Sequence, residues 1–476
     1  ATRDTLMRRR DWLGSLALAS VPGLVHARRS ERVDVVVVGA GLAGLEAALQ
    51  LQSQGAKVRV FEAGQRVGGR VRTIESNGLR FETGATEFAD SYARCQKRIT
   101  EFGLTLATGS PPSREMTLCI DDDLIDASRW SEAKANTLDE PWGTQLPPMI
   151  LSGLLQRHNP LATSGDWALD RHADLDISLF EFLRGKGTPA NVLALADVGA
   201  NYNALHSTSA LDALRRDAMR KDASATGGVK LLDGGSSRLP EAMAQRLGDR
   251  ISLDSEVAGI AKLRRGYRIA LADGRSVEAR AVIVAVPCAR TDAISLVDVD
   301  HVDSIAPLWR ARPMTAISQV HLRPLAPFWL DDGFPATMWS DSALERVFAI
   351  RNAAGEVERL LVWLNGKGAQ RADNLGSELA SFAKLELARV RPASRGKVEV
   401  LHTVRWSQLP GIGGAYAEVS PGQSGAVKAA LKSLPAFASA NRGLAFAGEH
   451  MVFDVPGIEA ALASGERAAA GVSNVL

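Results

Sequence analysis

Cysteine is scarce in this chain, and the cysteines that are present stand far apart. Cys95, Cys119 and Cys288 are the only three among 476 residues, and no two of them form a C-x-x-C pair. This spacing argues against a disulfide framework and against a zinc site, although one disulfide stays open in an oxidising compartment. The eight histidines show no metal-ligand spacing either. We therefore predict no metal site.

An excess of charge of either sign is also missing. The chain has 56 lysine and arginine residues against 54 aspartate and glutamate residues, which gives a net charge of +2. Nucleic-acid-binding proteins concentrate basic charge, so this balance argues against a nucleic-acid partner. Hydrophobic residues make up 46% of the chain and charged residues 23%, as in ordinary globular proteins. The length predicts two domains, or one large domain interleaved with another.

Long apolar runs are absent too, which argues against a stable membrane anchor. The run Leu13–Val25, near the N-terminus, is short and only weakly apolar. The arginine-rich sequence RRRDWL precedes it at residues 8–13, and Val25-His26-Ala27 resembles a small-residue cleavage site. We interpret residues 1–27 as a signal peptide of the twin-arginine type, which predicts a periplasmic or secreted protein. A disordered basic tail is the alternative.

The strongest pattern in the chain begins at residue 33. Four valines, Val35–Val38, predict a buried parallel strand. Gly39, Gly41 and Gly44 follow at G-x-G-x-x-G spacing, and Leu45–Gln54 is predicted to form a helix. The first glycine permits a tight turn, the second lets the backbone approach a pyrophosphate, and the third lets the helix pack closely on the strand.

A second strand and a terminal acid complete this dinucleotide-binding pattern. Lys57–Phe61 is predicted to be a strand, and Glu62 follows it, 18 residues after Gly44. A carboxylate about 20 residues beyond the glycines binds ribose hydroxyls in such folds. Gly69 and Arg70 come next, in the sequence G-G-R. The glycines let the chain pass close to a cofactor, and the arginine can bind phosphate through two parallel hydrogen bonds.

With these residues the chain resembles the flavin amine oxidase superfamily, which includes monoamine, polyamine and L-amino-acid oxidases. Three separated segments carry the resemblance, near residues 33–90, 230–290 and 440–472. It implies an α/β fold in which a Rossmann-like FAD-binding domain, built from three segments, is interleaved with an α+β substrate domain of a mixed sheet plus helices. The predicted boundaries are 33–90, 230–300 and 435–476 for the FAD-binding domain, and 91–229 and 301–434 for the substrate-binding domain.

The substrate domain is predicted in two parts. From Trp130 to about Lys221 the pattern is helical and rich in loops, with Ser209–Ala218 as one of its helices. The second part is predicted to be a sheet, with a helix at Gly376–Arg389 before its last strand. Its strands are expected at Thr315–Leu322, Val347–Ile350, Leu360–Leu364 and Lys397–Thr403.

The resemblance also implies which residues hold the FAD. They are the residues of the glycine motif and others at matching family positions: Gly39, Gly41, Gly44, Glu62, Gly69, Arg70, Gly84, Ala85, Val257, Pro287, Trp406, Gly448, Glu449, Gly457 and Ile458. The terminal helix after Pro456 would direct its N-terminal dipole at the flavin. Some relatives attach FAD to a cysteine, but Ala415 occupies that position, so non-covalent binding is expected.

The expected catalytic residues depart from the family. Relatives carry a lysine that holds a water near the flavin, and counting back from Pro327-Phe328-Trp329 places Gln319 at that position. Many relatives flank the amine with two aromatic rings. Tyr416 matches the first ring, whereas Ile458 stands where the second is expected, and Trp406 matches a tryptophan beside the flavin. As an alternative, Trp406 and Tyr416 are ordinary core aromatics.

Glu87 bears on the charge of the substrate. L-amino-acid oxidases place an arginine for the substrate carboxylate at the matching position. A carboxylate there would repel an amino acid and attract an ammonium group, so Glu87 is a candidate amine-binding residue. A surface or helix-capping glutamate is the alternative.

These features predict an exported FAD-dependent amine oxidase or dehydrogenase. Hydride would pass from the carbon beside a small-molecule amine to the flavin, giving an imine. The electron acceptor is either O2 or a c-type cytochrome, and a homodimer is compatible with the sequence. The alternatives are an L-amino-acid oxidase, a flavin-dependent desaturase or dehydrogenase that acts on a non-amine, and a flavin-binding protein without turnover.

Overall fold

The computed structural model describes residues 31–108, 115–224 and 229–476. The predicted signal segment, residues 1–27, lies outside this part of the chain. In these ranges the strands are, in chain order, β1 (Glu31–Val38), β2 (Val58–Phe61), β3 (Thr73–Ser76), β4 (Leu79–Glu82), β5 (Phe88–Ala89), β6 (Leu106–Thr108), β7 (Thr117–Ile120), β8 (Asp123–Asp126), β9 (Val229–Leu232), β10 (Ile251–Ser252), β11 (Val257–Lys262), β12 (Tyr267–Leu271), β13 (Ser276–Val284), β14 (Ser295–Val297), β15 (Ile317–Pro324), β16 (Met338–Ser340), β17 (Arg346–Arg351), β18 (Val357–Asn365), β19 (Val398–Arg405) and β20 (Leu444–Phe446).

The helices connect these strands and cover their sheets. They are, in chain order, α1 (Leu42–Ser53), α2 (Ala93–Glu101), α3 (Ile150–His158), α4 (Leu179–Gly185), α5 (Ala190–Val198), α6 (Ala210–Ser224), α7 (Arg238–Leu247), α8 (Cys288–Thr291), α9 (Val302–Ile305), α10 (Pro307–Arg310), α11 (Phe328–Asp332), α12 (Gly366–Leu375), α13 (Leu379–Val390), α14 (Ser424–Ala440) and α15 (Gly457–Ser473). Among the residues described, no helix combines the length and apolar character needed to cross a membrane.

The larger sheet has eight strands and forms the Rossmann-like part of the fold. Its order is β10-β2-β1-β13-β12-β11-β14, with β20 also paired to β13. Strand β1 runs parallel to β2 and to β13, so Val38 lies opposite both Phe61 and Val284. The carboxyl ends of these three strands therefore meet at one edge of the sheet. The predicted α/β fold is confirmed.

Helix α1 is apolar on almost every side because it is buried on almost every side. Leu45, Ala47, Ala48 and Leu51 are completely shielded from solvent. The helix packs against α7 and α15 as well as against the parallel sheet. A helix that is hydrophobic all round is typical of such a central position.

The second sheet has seven strands in the order β19-β15-β18-β17-β16-β7-β8. It is mixed, because β16 pairs parallel to β7 whereas the other pairs are antiparallel. Side chains alternate between its faces. On β15, Val320 and Leu322 join the core shared with α12 and α13. Ile317, on the opposite face, packs with Trp406. Helices α3 to α6 form the predicted helical layer.

Helix α2 joins the first core, although the predicted domain boundary at residue 90 precedes it. Arg98 donates to Glu46 of α1 from both Nε and Nη2, at 2.7 and 2.6 Å. Cys95 and Ile99 pack in the same hydrophobic cluster as α1. The domain boundaries stay predictions, and this part of the chain packs with the dinucleotide-binding segments.

Candidate functional site

A cavity of about 600 Å3 opens where the three cofactor segments meet. Its size is within the usual range for sites that hold a small molecule or cofactor, about 300–1,000 Å3. Most of the predicted cofactor residues line it: Gly39, Gly41, Glu62, Gly69, Arg70, Ala85, Val257, Pro287, Gly448, Glu449, Gly457 and Ile458. The structure thus brings together residues that stand more than 400 positions apart in the sequence.

The glycines serve two different purposes at this site. A Cβ at Gly44 would lie 2.0 Å from the carbonyl oxygen of Gly39, and one at Gly84 would lie 2.2 Å from that of Arg70. Neither Gly44 nor Gly84 is among the described residues that line the cavity, so both act by close packing. A Cβ at Gly41 meets nothing within 4 Å and would project into open space beside the cavity. Gly41 therefore leaves room for a ligand.

Glu62 is held at the edge of the cavity by backbone amides. The N–H of Ala40 donates to Oε2 at 2.7 Å, and the N–H of Gly64 donates to Oε1 at 2.8 Å. Because each carboxylate oxygen accepts more than one hydrogen bond, further acceptor capacity remains. Glu62 lines the cavity, and its role in binding ribose hydroxyls stays a prediction.

Arg70 and Glu449 join the first and third cofactor segments. Arg70 Nη1 donates to Glu449 Oε1 at 2.8 Å and to the carbonyl oxygen of Ala415 at 3.0 Å. The N–H of Ala417 donates to the same carboxylate at 3.1 Å. Burial disfavours the charged form, but Arg70 and Arg312 outweigh it and lower the pKa of Glu449 to about 2. Glu449 is therefore ionised at neutral pH.

Further arginines at the cavity were not predicted. Arg66, Arg72 and Arg290 line it together with Arg70, whereas the acids that line it are Glu62, Glu256 and Glu449. Four guanidinium groups against three carboxylates leave a positive excess, which suits a diphosphate. Arg66 orders the G-G-R loop by donating to the carbonyl oxygens of Val67, Gly69 and Val71. The only sequence signal for Arg290 is its place just after Pro287.

The aromatic candidates take different positions. Tyr416 lines the cavity beside Leu409, Ile412 and Ala415. Trp406 is buried behind this wall, packs with the same residues, and donates from Nε1 to the carbonyl oxygen of Thr83 at 2.7 Å. Tyr416 and Ile458 thus both reach the cavity, but Ile458 supplies an aliphatic surface and not a second ring.

An ion network that the sequence did not reveal lies behind Tyr416. The Tyr416 hydroxyl donates to the carbonyl oxygen of Asn201 at 2.7 Å, and the Arg216 guanidinium lies 5.6 Å from the centre of its ring. Arg215 and Arg216 both donate to the buried carboxylate of Asp212. Burial opposes ionisation of Asp212, but Arg216 and Arg215 lower its pKa below the ordinary range. The D-x-x-R-R spacing on the predicted helix was the available signal.

Gln319 lies in β15 and is 2% exposed. It is not among the cavity-lining residues of the described chain, but its strand neighbour Ile317 packs with Trp406, Ala415 and Tyr416. Side chains two residues apart on a strand share a face. Gln319 therefore lies on the cavity side of the second sheet, next to the wall.

Glu87 is not brought to the cavity. It is exposed, and it is absent from the lining residues in the described ranges. The neighbouring Phe88 is completely buried in β5, and adjacent side chains of an extended segment point in opposite directions. The structure therefore gives the predicted amine-binding role of Glu87 no geometric support.

No group of three or more His, Cys, Asp or Glu side chains that could hold a metal ion is found in the residues described. The three cysteines are buried and unpaired with one another. Burial raises the pKa of the Cys288 thiol to about 11.

Comparison with known proteins agrees with the geometry. The sequence pattern of the family described as "Flavin containing amine oxidoreductase" matches residues 42–473. The chain is 29% identical over 338 residues to "Putative flavin-containing monoamine oxidase AofH" of Mycobacterium tuberculosis, which covers 65% of this chain and 69% of AofH. The structure resembles putrescine oxidase bound to putrescine, with a TM-score of 0.70, 22% identity and coverage of 92% of this chain and 98% of that one. It also resembles cyclohexylamine oxidase from Brevibacterium oxydans IH-35A, with a TM-score of 0.71, 21% identity and coverage of 93% and 99%.

The family match begins at residue 42, after β1, and covers the rest of the three cofactor segments. Most residues that line the cavity lie within it, whereas Val38, Gly39 and Gly41 come just before it. The chain belongs to the flavin containing amine oxidoreductase family, and it is a flavin-dependent oxidoreductase that acts on amines.

Proposed function

We propose that this protein is an exported FAD-dependent amine oxidase or dehydrogenase with non-covalently bound cofactor. The observation that carries the proposal is that Glu62 and Tyr416 line the same cavity of about 600 Å3. The residues of the glycine motif and Glu62 would hold the nucleotide of an extended dinucleotide in this cavity. Its reacting end would then lie near Tyr416.

FAD, and not a smaller flavin, is supported by the residues at the nucleotide end. Glu62 has acceptor capacity for ribose hydroxyls, and the backbone of Gly41 leaves open space in front of the N-terminus of α1. Helix N-termini attract phosphates because their amides and their dipole favour negative charge. Arg290 adds a positive charge at the same cavity. These groups would hold a diphosphate and a ribose.

A bound flavin supplies the acceptor for the hydride that leaves the carbon beside the amine. The chain supplies orientation, exclusion of water and electrostatics. Leu409, Ile412 and Tyr416 line the cavity with apolar surface, which would keep water from the reacting carbon. Helix α15 begins at Gly457 on the cavity surface, and its positive end favours negative charge there.

Tyr416 acts as a wall and not as a base. Burial raises the pKa of its phenol above the ordinary range, and its hydroxyl donates to Asn201. A neutral amine is needed for hydride loss, and the guanidinium of Arg216 behind the ring disfavours an ammonium group at this place. We propose that the substrate reacts as the neutral amine.

The decisive experiment is anaerobic reduction of the bound flavin by a panel of compounds. The panel contains monoamines, diamines such as putrescine, cyclic amines such as cyclohexylamine, L-amino acids and non-amine alcohols. Bleaching of the flavin absorbance by amines alone supports the proposal. Bleaching by L-amino acids alone would assign the chain to amino-acid oxidation, and bleaching by none of the amines would refute the proposal.

Non-covalent attachment is supported by Ala415, which offers no thiol at the position where some relatives bind the cofactor. Acid precipitation should release the yellow cofactor into the supernatant, and mass spectrometry should identify it as FAD. Flavin that stays with the precipitated protein would contradict this part of the proposal.

Export is supported by residues 8–27 of the sequence alone. Replacing Arg9 and Arg10 together with lysine should leave the protein in the cytoplasm, because the paired arginines are the recognition signal. Unchanged recovery from the periplasm would refute this route. The electron acceptor is proposed to be O2 or a c-type cytochrome, and reoxidation rates with each acceptor distinguish them.

A further inference from the structure

Gln319 is one member of a buried hydrogen-bonded chain of three side chains. Nε2 of His321 lies 3.1 Å from Oε1 of Gln319, and Nδ1 of the same ring lies 2.6 Å from Nη1 of Arg359. Gln319 and His321 lie two residues apart on β15 and share one face of the sheet. Arg359 comes from β18, which pairs with β15. All three side chains are at least nine-tenths buried.

The directions of these hydrogen bonds follow from the arginine. A guanidinium group can only donate, so Nδ1 of His321 accepts from Arg359. The ring proton of neutral His321 must then be on Nε2, which donates to Gln319. An amide oxygen is the acceptor in that bond, so Oε1 of Gln319 faces His321. The NH2 group is consequently turned away from His321.

The ring of His321 has little freedom to reverse this order. It stacks on Phe81 with 4.5 Å between ring centres, and the Arg359 guanidinium lies 4.7 Å from the same Phe81 ring. Burial and the neighbouring Arg359 lower the pKa of His321 to about 2. The ring is therefore neutral at physiological pH, and one tautomer is selected.

Gln319 lies on the face of the sheet that packs against the cavity wall. Its NH2 group makes no hydrogen bond with another residue of the described chain. Ile317, two residues earlier on the same face, packs with the wall residues Ala415 and Tyr416. We propose that Arg359 and His321 are positioning residues that present Gln319 to the flavin, or to a water beside it, as a neutral hydrogen-bond donor.

This inference rests on the proposed flavin site, and its consequence is electrostatic. A donor beside the flavin stabilises the electron-rich reduced state more than the oxidised state. It does so without the positive charge that a lysine would bring. His321 acts only through Gln319, so its removal should matter only while Gln319 is present.

The test is a double-mutant cycle on the loaded enzyme with Gln319→Leu, His321→Leu and the double variant. The readout is the midpoint potential of the bound flavin, measured by equilibration with redox dyes. This measurement needs no substrate, so it stays informative even if no amine reduces the flavin. Amine reduction is followed separately, as the readout of the proposed function.

Gln319→Leu should lower the potential by about 30 mV, a tenfold change in the reduction equilibrium for a two-electron couple. His321→Leu should shift it in the same direction, and the double variant should match Gln319→Leu. His402→Leu is the matched control, because this second imidazole lies 6.4 Å from His321 between ring centres but does not bond Gln319.

Additive shifts, or an unchanged potential in His321→Leu, would overturn the proposal. If His321→Leu does not fold, Arg359→Met is used instead. This variant removes the donor to Nδ1 of His321 and keeps the imidazole ring. If the potential is unchanged in Gln319→Leu and amines still reduce the flavin, the positioning role of Arg359 and His321 is refuted. The proposed function is then left intact.

Discussion

Arg70 and Glu449 form an ion pair of 2.8 Å between segments 379 residues apart. Both side chains are largely buried, with 21% and 14% of their surfaces exposed. The pair brings the G-G-R loop against the turn that precedes the terminal helix, and Arg70 also fixes Ala415 beside the tyrosine wall. The ion pair therefore joins two of the segments that line the cavity.

Removing the charge of Glu449 should strongly destabilise the fold. In Glu449→Gln, Arg70 loses its ion-pair partner and Arg312 loses the attraction of the same carboxylate. An unpaired buried charge costs about 3–5 kcal/mol. Urea unfolding of the flavin-free protein at pH 7 measures this loss. Glu75→Gln is the control, because its pair with Arg80 is exposed and worth at most about 1 kcal/mol. Equal effects of the two changes would show that the Arg70–Glu449 pair is not structural.

Glu62 should govern retention of the cofactor. Glu62→Ala removes the acceptor that is held by Ala40 and Gly64, and one charge-assisted hydrogen bond is worth about 1.5–3 kcal/mol, or roughly one to two decades in affinity. Titration of the flavin-free protein with FAD measures the change. A dissociation constant equal to that of the unchanged protein would remove Glu62 from the cofactor site.

The elements set by local rules were predictable from the sequence. Four consecutive valines and the spaced glycines indicated β1 and α1, and the counted position of Gln319 falls on β15. Helices α12 and α14 were missed. The first begins in a G-x-G sequence that is typical of a turn, and the second contains Pro435. Their helical state depends on packing that the sequence pattern does not show.

The walls of the cavity were only partly predictable. Arg72 and Arg290 reach it because distant segments cross at one sheet edge, and no local spacing encodes that crossing. Glu87 was placed by counting from Gly84, but the burial of Phe88 turns it outward. The relay from Arg359 to Gln319 depends on the pairing of β15 with β18, which the sequence alone left open.

Glu87 should have little effect on amine oxidation. It is exposed, and interactions of exposed charges contribute at most about 1 kcal/mol. The rate of anaerobic flavin reduction in Glu87→Gln should stay within about twofold across pH 6–10. Tyr416→Leu is the comparison that should slow this step, since it removes part of the cavity wall. A raised apparent KM for amines in Glu87→Gln would restore the predicted amine-binding role.

The folded protein should lose stability as the pH falls below about 6.5, a pH well above the ordinary pKa of carboxylates. Burial, aided by Arg359, lowers the pKa of His321 to about 2, and burial lowers that of His450 to about 3. The unfolded chain takes up protons on both histidines as pH falls through about 6.5, whereas the folded chain does not. Stability is therefore fully present above pH 6.5 and is lost progressively toward pH 3.

The size of this pH dependence is measurable one histidine at a time. Each such group contributes up to about 1.4 kcal/mol per pH unit to the slope of the unfolding free energy. His321→Phe, whose ring can stack on Phe81, should reduce the slope between pH 6 and 4 by about one such contribution. His301→Asn is the control, because His301 is exposed. Identical slopes in His321→Phe and the unchanged protein would show that His321 is protonated in the fold.

Arg290 should contribute to binding of the diphosphate. It lines the cavity, and its guanidinium forms no hydrogen bond or ion pair with another residue in the described ranges. At the proposed dinucleotide site, a free guanidinium is available for phosphate oxygens, and a charge-assisted contact is worth about 1.5–3 kcal/mol. Arg290→Ala should therefore weaken FAD binding by about one to two decades.

Comparing FAD with riboflavin shows whether Arg290 contacts phosphate or only supports the structure of the cavity. Riboflavin lacks the diphosphate, so Arg290→Ala should bind it as well as the unchanged protein does, and only the affinity for FAD should fall. The salt dependence of FAD binding should also decrease, because one ionic contact is lost. Arg264→Ala is the matched control. Arg264 is exposed, and it is not among the described residues that line the cavity. Equal weakening of riboflavin and FAD would show that Arg290 supports the fold of the cavity and does not bind phosphate.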